Sequence, residues 1–159
     1  SDIDFYFVGD DKNSSYLKKF KNEVQNMRLE NICKIVGHLN KEELKLMYKC
    51  SDLIISAPLK PEGFGRTISE GLSMEKIVLA YNFGGAKDQL EKLDQICKIN
   101  PFDKEELKNR IDMILNSPKD KFSAILFNNR KHVIDNYSKD IMLSKYYNFY
   151  RQISLWKKY

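Results

Sequence analysis

The sequence predicts an α/β fold, a doubly wound parallel sheet with helices packed against it, and three observations carry that prediction. Short apolar strands alternate with segments of helical period along most of the chain. Glycine-bearing loops follow the strands, as strand-to-helix turns require. The composition, 42% hydrophobic and 31% charged over 159 residues, is that of a single globular domain spanning 1–159.

The elements follow in order. Phe5–Val8 reads as the first strand. A helix over 15–27 places Leu17, Phe20, Val24 and Met27 on one face. A second strand covers 33–36, and Asn40 with Glu43 three residues on forms a capping box for a helix running to Lys49. Leu53–Ser56 is the third strand, and a helix over 67–74 follows it. Strands over 77–80 and 95–99 enclose a short helix near 88–93. Asp103 and Glu106 cap a helix over 105–115, which Pro118 closes. The rest is helical: 122–136, then a long aromatic helix with Ser138 as its N-cap. There are no repeats and no low-complexity tracts.

In a doubly wound sheet, ligands bind outside the carboxyl ends of the strands. The loops at those ends are Gly9-Asp10, Gly37-His38-Leu39, the stretch from Glu62 to Glu70, and Phe83-Gly84-Gly85. The richest is Pro61-Glu62-Gly63-Phe64-Gly65-Arg66-Thr67-Ile68-Ser69-Glu70, which leaves an apolar strand and enters a helix. Its two carboxylates, one on the loop and one on the helix, are acceptors suited to sugar hydroxyls. Gly63 and Gly65 let the backbone approach a ligand. The unpaired N–H groups near Gly65 to Thr67 at the helix N-terminus favour a phosphate. Donors for a diphosphate and acceptors for hydroxyls together suit a nucleoside diphosphate sugar.

Glu62, seven intervening residues and Glu70, with Gly63-Phe64-Gly65-Arg66-Thr67 inside, resemble the signature of the retaining glycosyltransferases of family four, which have the GT-B fold. Lys76-Ile77-Val78-Leu79-Ala80 looks like the family's next buried strand, and Gly84-Gly85-Ala86-Lys87-Asp88 like its double-glycine loop. Phe5 to Asp10 and Ile35 to Leu39 resemble two further strand-loop elements, so the likeness spans nearly the whole chain. It is nearest to the enzymes that build bacterial lipopolysaccharide cores.

The resemblance implies the Rossmann-like, C-terminal donor-binding half of a GT-B enzyme that transfers a hexosyl group, with retention, to a saccharide or lipid-linked acceptor. By it, Glu70 accepts from the ribose hydroxyls, and Glu62 holds the donor sugar near its anomeric centre as the catalytic carboxylate. Backbone N–H groups of Phe64, Gly65 and Arg66 meet sugar and diphosphate. Gly37-His38-Leu39 lies against the base, and Gly84 and Gly85 line the ligand. No metal and no cofactor are expected; N–H donors and cations stabilise the leaving diphosphate. The family's N-terminal acceptor domain is missing, as is the first strand of this domain with its Arg and Lys. The domain alone is therefore expected to be inactive. Asp88 stands where the family usually has Glu.

Plainer readings stand beside these. Glu70 suits a solvated first helical turn, and Glu62 a turn beside Pro61. His38 is equally a loop histidine, Arg66 a surface charge, and Gly84 and Gly85 residues needed for turn geometry alone. Lys87 and Asp88 read as an ordinary helix start, and Asp2-Ile3-Asp4 as structural. Two other functions are open. One is a non-catalytic remnant or subunit that binds a nucleotide sugar or a partner chain. The other is a dinucleotide-binding oxidoreductase domain, since Gly63-Phe64-Gly65 begins a Gly-x-Gly-x-x-Gly pattern; Ile68 stands at its last position.

The remaining features set bounds. Net charge is +5 with pI about 9.0, from lysines scattered through every helix, and no nucleic-acid recognition signature is present. Cys33, Cys50 and Cys97 form no metal or disulfide pattern and suit a reducing, cytoplasmic location. No apolar run reaches the length of a membrane span, and no signal peptide opens the chain. The last helix carries Tyr146, Tyr147, Phe149, Tyr150, Ile153 and Trp156. It reads first as a surface for the missing N-terminal domain, second as local core. Third, with Lys157 and Lys158, it reads as a peripheral contact with the inner membrane face.

Overall fold

The computed structural model describes residues 3–9 and 15–156, and the chain divides into two compact units, Ser1–Met47 and Tyr48–Tyr159. Asp2, Asp10, Lys157 and Lys158 lie outside the described residues.

In the first unit, β1 (Phe5–Val8) pairs in parallel with β2 (Cys33–Gly37), Phe5 opposite Cys33 and Val8 opposite Gly37. Between them runs α1 (Ser15–Asn26), whose Phe20 ring lies 4.6 Å from that of Phe7 and whose Val24 is buried. Met27, expected on the apolar face, is exposed beyond the helix end. The cause is a Schellman turn. Arg28 sits left-handed at φ 56°, its N–H donates to the Gln25 carbonyl, and Leu29 N–H reaches back to Val24. The capping box predicted at Asn40 is present in both directions. Asn40 Oδ1 accepts from Glu42 and Glu43 N–H at 3.0 Å, and Glu43 Oε2 accepts from Asn40 N–H at 2.8 Å. It starts α2 (Lys41–Cys50).

The second unit is built on three parallel strands in the order β3 (Leu53–Ser56), β4 (Ile77–Tyr81), β5 (Lys98–Ile99). Every residue of β4 is buried, as the central strand of a parallel sheet requires. Between β3 and β4 runs α3 (Arg66–Ser73), which buries Ile68 and Leu72. It lies so close to the sheet that a Cβ on Gly71 would stand 2.8 Å from Val78 Cγ2. After β4 comes α4 (Ala86–Leu90). The strand expected over 95–99 is shorter. Asp94 accepts from the Ile96 N–H at 2.9 Å and winds Gln95–Cys97 into a 3₁₀ turn, leaving two residues to pair with β4.

Asp103 caps α5 (Lys104–Leu115) through the Glu106 N–H at 2.8 Å, but Glu106 accepts from Asn100 N–H and not from Asp103, so the second box is half formed. A 3₁₀ turn (Lys119–Phe122) leads into α6 (Ser123–Tyr137), which packs on α3. Its buried Asn129 donates to Cys97 Sγ at 3.4 Å; burial pushes that thiol up to about 11, so it stays protonated and inert. Ser138 caps α7 (Lys139–Trp156). Along α7, Tyr146, Tyr147, Phe149, Tyr150 and Ile153 are all exposed, which overturns the local-core reading for them.

Candidate functional site

Because β3 and β4 run parallel and in register, the loops leaving them emerge at the same end of the sheet. These are the segment from Ala57 to Gly65 and the segment from Asn82 to Gly85. They are tied together by backbone: Gly85 N–H donates to the Glu62 carbonyl at 2.8 Å. The contact leaves no room for a side chain. A Cβ on Gly85 would fall 2.0 Å from the Gly63 carbonyl oxygen, and one on Gly84, at φ 59°, 2.7 Å from Pro61 Cβ. The double glycine thus lets two loops touch. The loop after β5 joins them through Phe102, whose ring meets those of Tyr81 and Phe83 edge to face at 5.6 Å.

At the head of α3, Gly65 occupies the left-handed region (φ 80°, ψ 61°), and no side chain caps the helix. The first-turn N–H groups are therefore not taken up by a capping side chain. Glu62 is exposed, with Oε2 3.5 Å from where a Gly65 Cβ would stand. Phe64 and Arg66 are exposed, and Thr67 is half-buried.

Glu70 lies one turn further along α3, half-buried, and accepts the Tyr48 hydroxyl on Oε2 at 3.0 Å. Burial, then the neighbouring Glu70 charge, push the Tyr48 phenol up to about 12, against opposing pulls from the Thr67 hydroxyl and Arg66. Tyr48 is thus a proton donor to Glu70 over the whole physiological range. One helical face, Thr67 and Glu70 at i and i+3, presents both groups to this phenol.

The structure gathers Glu62, Gly63, Phe64, Gly65, Arg66, Thr67, Glu70, Gly84 and Gly85 in the second unit. Gly37, His38 and Leu39 belong to the first, in the turn from β2 to α2; Gly37 is left-handed there and His38 exposed. Three side chains touch the site without having been predicted for it. Tyr48 braces Glu70 from 22 positions away. Tyr137, at the end of α6, meets the Phe64 ring edge to face at 5.4 Å and donates to the Asp88 carbonyl. Gln89, wholly buried in α4, donates from Nε2 to the Phe64 carbonyl and, at 3.2 Å, to that of Gly65. Only Gln89 had a sequence signal: it shares a helical face with Ala86, Leu90 and Leu93, a polar residue in an apolar stripe. Among the described residues no three His, Cys, Asp or Glu side chains are grouped to hold a metal.

The model of the family described as glycosyl transferases group 1 matches residues 1–138. The chain belongs to this family. The fold is accordingly the Rossmann-like α/β fold of GT-B glycosyltransferases, and the dinucleotide reading falls; the position of its third glycine is held by Ile68, wholly buried against the sheet. A solved glycosyltransferase from Rickettsia africae is 34% identical, with a TM-score of 0.84 over 96% of this chain and 40% of that one. The Anabaena protein Alr3699/HepE, solved with UDP and glucose, is 23% identical with a TM-score of 0.79, covering 94% of this chain and 40% of that one. Sucrose-phosphate synthase from Thermosynechococcus elongatus is 22% identical with a TM-score of 0.81, over 94% and 38%. The chain thus spans about two fifths of the length of these proteins. No curated protein matches the sequence significantly.

Proposed function

We propose that this chain is the donor-binding part of a retaining glycosyltransferase of family four, holding a nucleoside diphosphate hexose for transfer to a saccharide or lipid-linked acceptor. The observation that carries it is the arrangement around α3. Its N-terminus lacks a side-chain cap and opens from a left-handed glycine, with one carboxylate on the loop before it and a second, braced by Tyr48, one turn inside. Glu70 accepts the ribose hydroxyls, Glu62 holds the sugar, and N–H groups at Gly65 and Arg66 meet the diphosphate. That Alr3699/HepE was solved with UDP and with UDP-glucose supports the nucleotide class. A role in lipopolysaccharide or other envelope glycan synthesis rests on the sequence resemblance.

The acceptor half lies, on this reading, in a preceding N-terminal domain, which agrees with the two-fifths coverage of the solved enzymes. On the same reading a further strand of this domain precedes β1. The exposed aromatic face of α7 is then a surface for the N-terminal domain.

Calorimetric titration with UDP, GDP, ADP and their hexose conjugates tests the reading, beside Glu70→Ala. One nucleotide binds saturably, and the substitution weakens it ten- to a hundredfold, the loss of about 1.5–3 kcal/mol expected for a bond to a charged acceptor. Equal affinity in both chains removes Glu70 from the site.

A further inference from the structure

The loop at the head of α3 is held by its carbonyl oxygens, chiefly from α4 and the residue before it, although the Gly65 carbonyl also accepts from Ile68 N–H of α3 at 3.0 Å. Gly85 N–H, at the start of α4, takes the Glu62 carbonyl, and Gln89 Nε2, on α4 itself, takes those of Phe64 and Gly65. In a trans peptide the carbonyl of one residue and the N–H of the next point in opposite directions. Drawing the carbonyls of residues 62, 64 and 65 toward α4 therefore turns the N–H groups of Gly63, Gly65 and Arg66 away from it. Consecutive N–H groups facing one way beside a left-handed residue make an anion-binding concavity. A glycine at φ 80° does not hold such a conformation unaided, since both signs of φ are open to it. Ile68 N–H holds the peptide after Gly65, and the peptide before it needs a hold of its own.

Gln89 has the chemistry for this. One amide nitrogen carries two protons, and two carbonyls receive them. The reversed amide would set its oxygen against both carbonyls, so the orientation is determined. Its own Oε1 is buried and has no hydrogen-bond partner among the described residues, in a side chain 1% exposed. An unpaired buried acceptor is costly, and a Leu or Met of similar size would avoid it. What the amide supplies in exchange is the two bonds its nitrogen makes.

We propose that Gln89 is a positioning residue for the donor diphosphate. It fixes the Phe64 and Gly65 peptides so that the Gly65 and Arg66 N–H groups are pre-aimed before ligand arrives. This rests on the donor-site reading above.

The test uses the whole chain with Gln89→Met, which keeps the length but has no N–H, and Gln89→His, which keeps one ring N–H. Backbone ¹⁵N order parameters are measured without ligand, and affinities for UDP and for uridine are measured in parallel. In Gln89→Met the order parameters at Phe64, Gly65 and Arg66 drop below about 0.6. UDP affinity falls about tenfold, the loss of a hydrogen bond's worth of preorganisation, while uridine affinity stays within about twofold. Gln89→His falls between the two chains, and supplies the comparison if Gln89→Met does not fold. Wild-type order at the loop in the variants overturns the proposal, and so does an equal loss for UDP and uridine. A failure of the donor-site reading shows earlier and differently, as a wild-type chain that binds no UDP, and it overturns the proposal with it.

Discussion

Glu70 and Tyr48 show how one pair of side chains prepares an acceptor. A carboxylate in the first turns of a helix is free to swing; a phenol bound to one of its oxygens holds the other in place for a ligand. The phenol must stay protonated to do so, and burial together with the Glu70 charge, raising it to about 12, guarantees that. The consequence for stability has a definite sign. An unfolded tyrosine titrates near 10, so the folded state holds this proton more tightly. The stabilisation is therefore complete below pH 10 and is lost as pH rises from 10 toward 12. Tyr48→Phe is expected to cost about 1–2 kcal/mol at pH 8 and to weaken UDP binding several-fold through a less ordered Glu70. Its denaturant midpoint should then decline less than the wild type's between pH 10 and 12. Urea unfolding across that range decides it. A parallel decline in the two chains would show that another group titrates there.

At the scale of elements, the site is two loops and a helix terminus held in contact by backbone. Gly85 is where that contact is tightest, and Gly85→Ala puts a methyl group 2.0 Å from the Gly63 carbonyl oxygen. The loops must part, with loss of the Gly85 to Glu62 bond and of the Gln89 register; a cost of roughly 2–4 kcal/mol is expected. Thermal unfolding measures it, and UDP affinity should fall with it; an unchanged melting temperature would mean the loops are not in contact in solution. Much of this was legible in the chain. The apolar runs at Phe5–Val8 and Leu53–Ser56 are strands as read, and the Asn40–Glu43 box closes as its spacing demands. The glycine loops also proved to stand at strand ends. What sequence did not show was where single residues redirect the backbone and where side chains act over distance. Asp94 turns a predicted strand into a 3₁₀ turn by capturing one N–H, and Arg28 ends α1 in a conformation its side chain does not favour. Tyr48 had no local signal at all, being a helix-end residue whose partner is 22 positions on.

For the whole molecule, the two units differ sharply in what they bury. The second carries Ile68, Leu72, Val78, Leu79, Leu90 and Ile99 almost wholly removed from water. In the first, Val24 is the one buried side chain among the described residues, and Tyr6, Phe7, Val8 and Val36 of its two strands are exposed. A unit of this size with so small a core is marginal by surface-to-volume scaling. It would be steadied by the preceding strand and domain proposed above, which would also cover the aromatic residues of α7. The expectation is a gradient of local stability. Amides of β1 and β2 should exchange at least a hundredfold faster than those of β4, opening in local fluctuations while β4 exchanges only on global unfolding. Hydrogen exchange read by mass spectrometry measures this directly. Repeating it on the gene product extended upstream makes the argument specific, because a strand paired with β1 should slow β1 and β2 far more than it slows β4. Strong protection of β1 and β2 in the 159-residue chain would mean that the first unit needs no such strand, and would remove the stability argument for one.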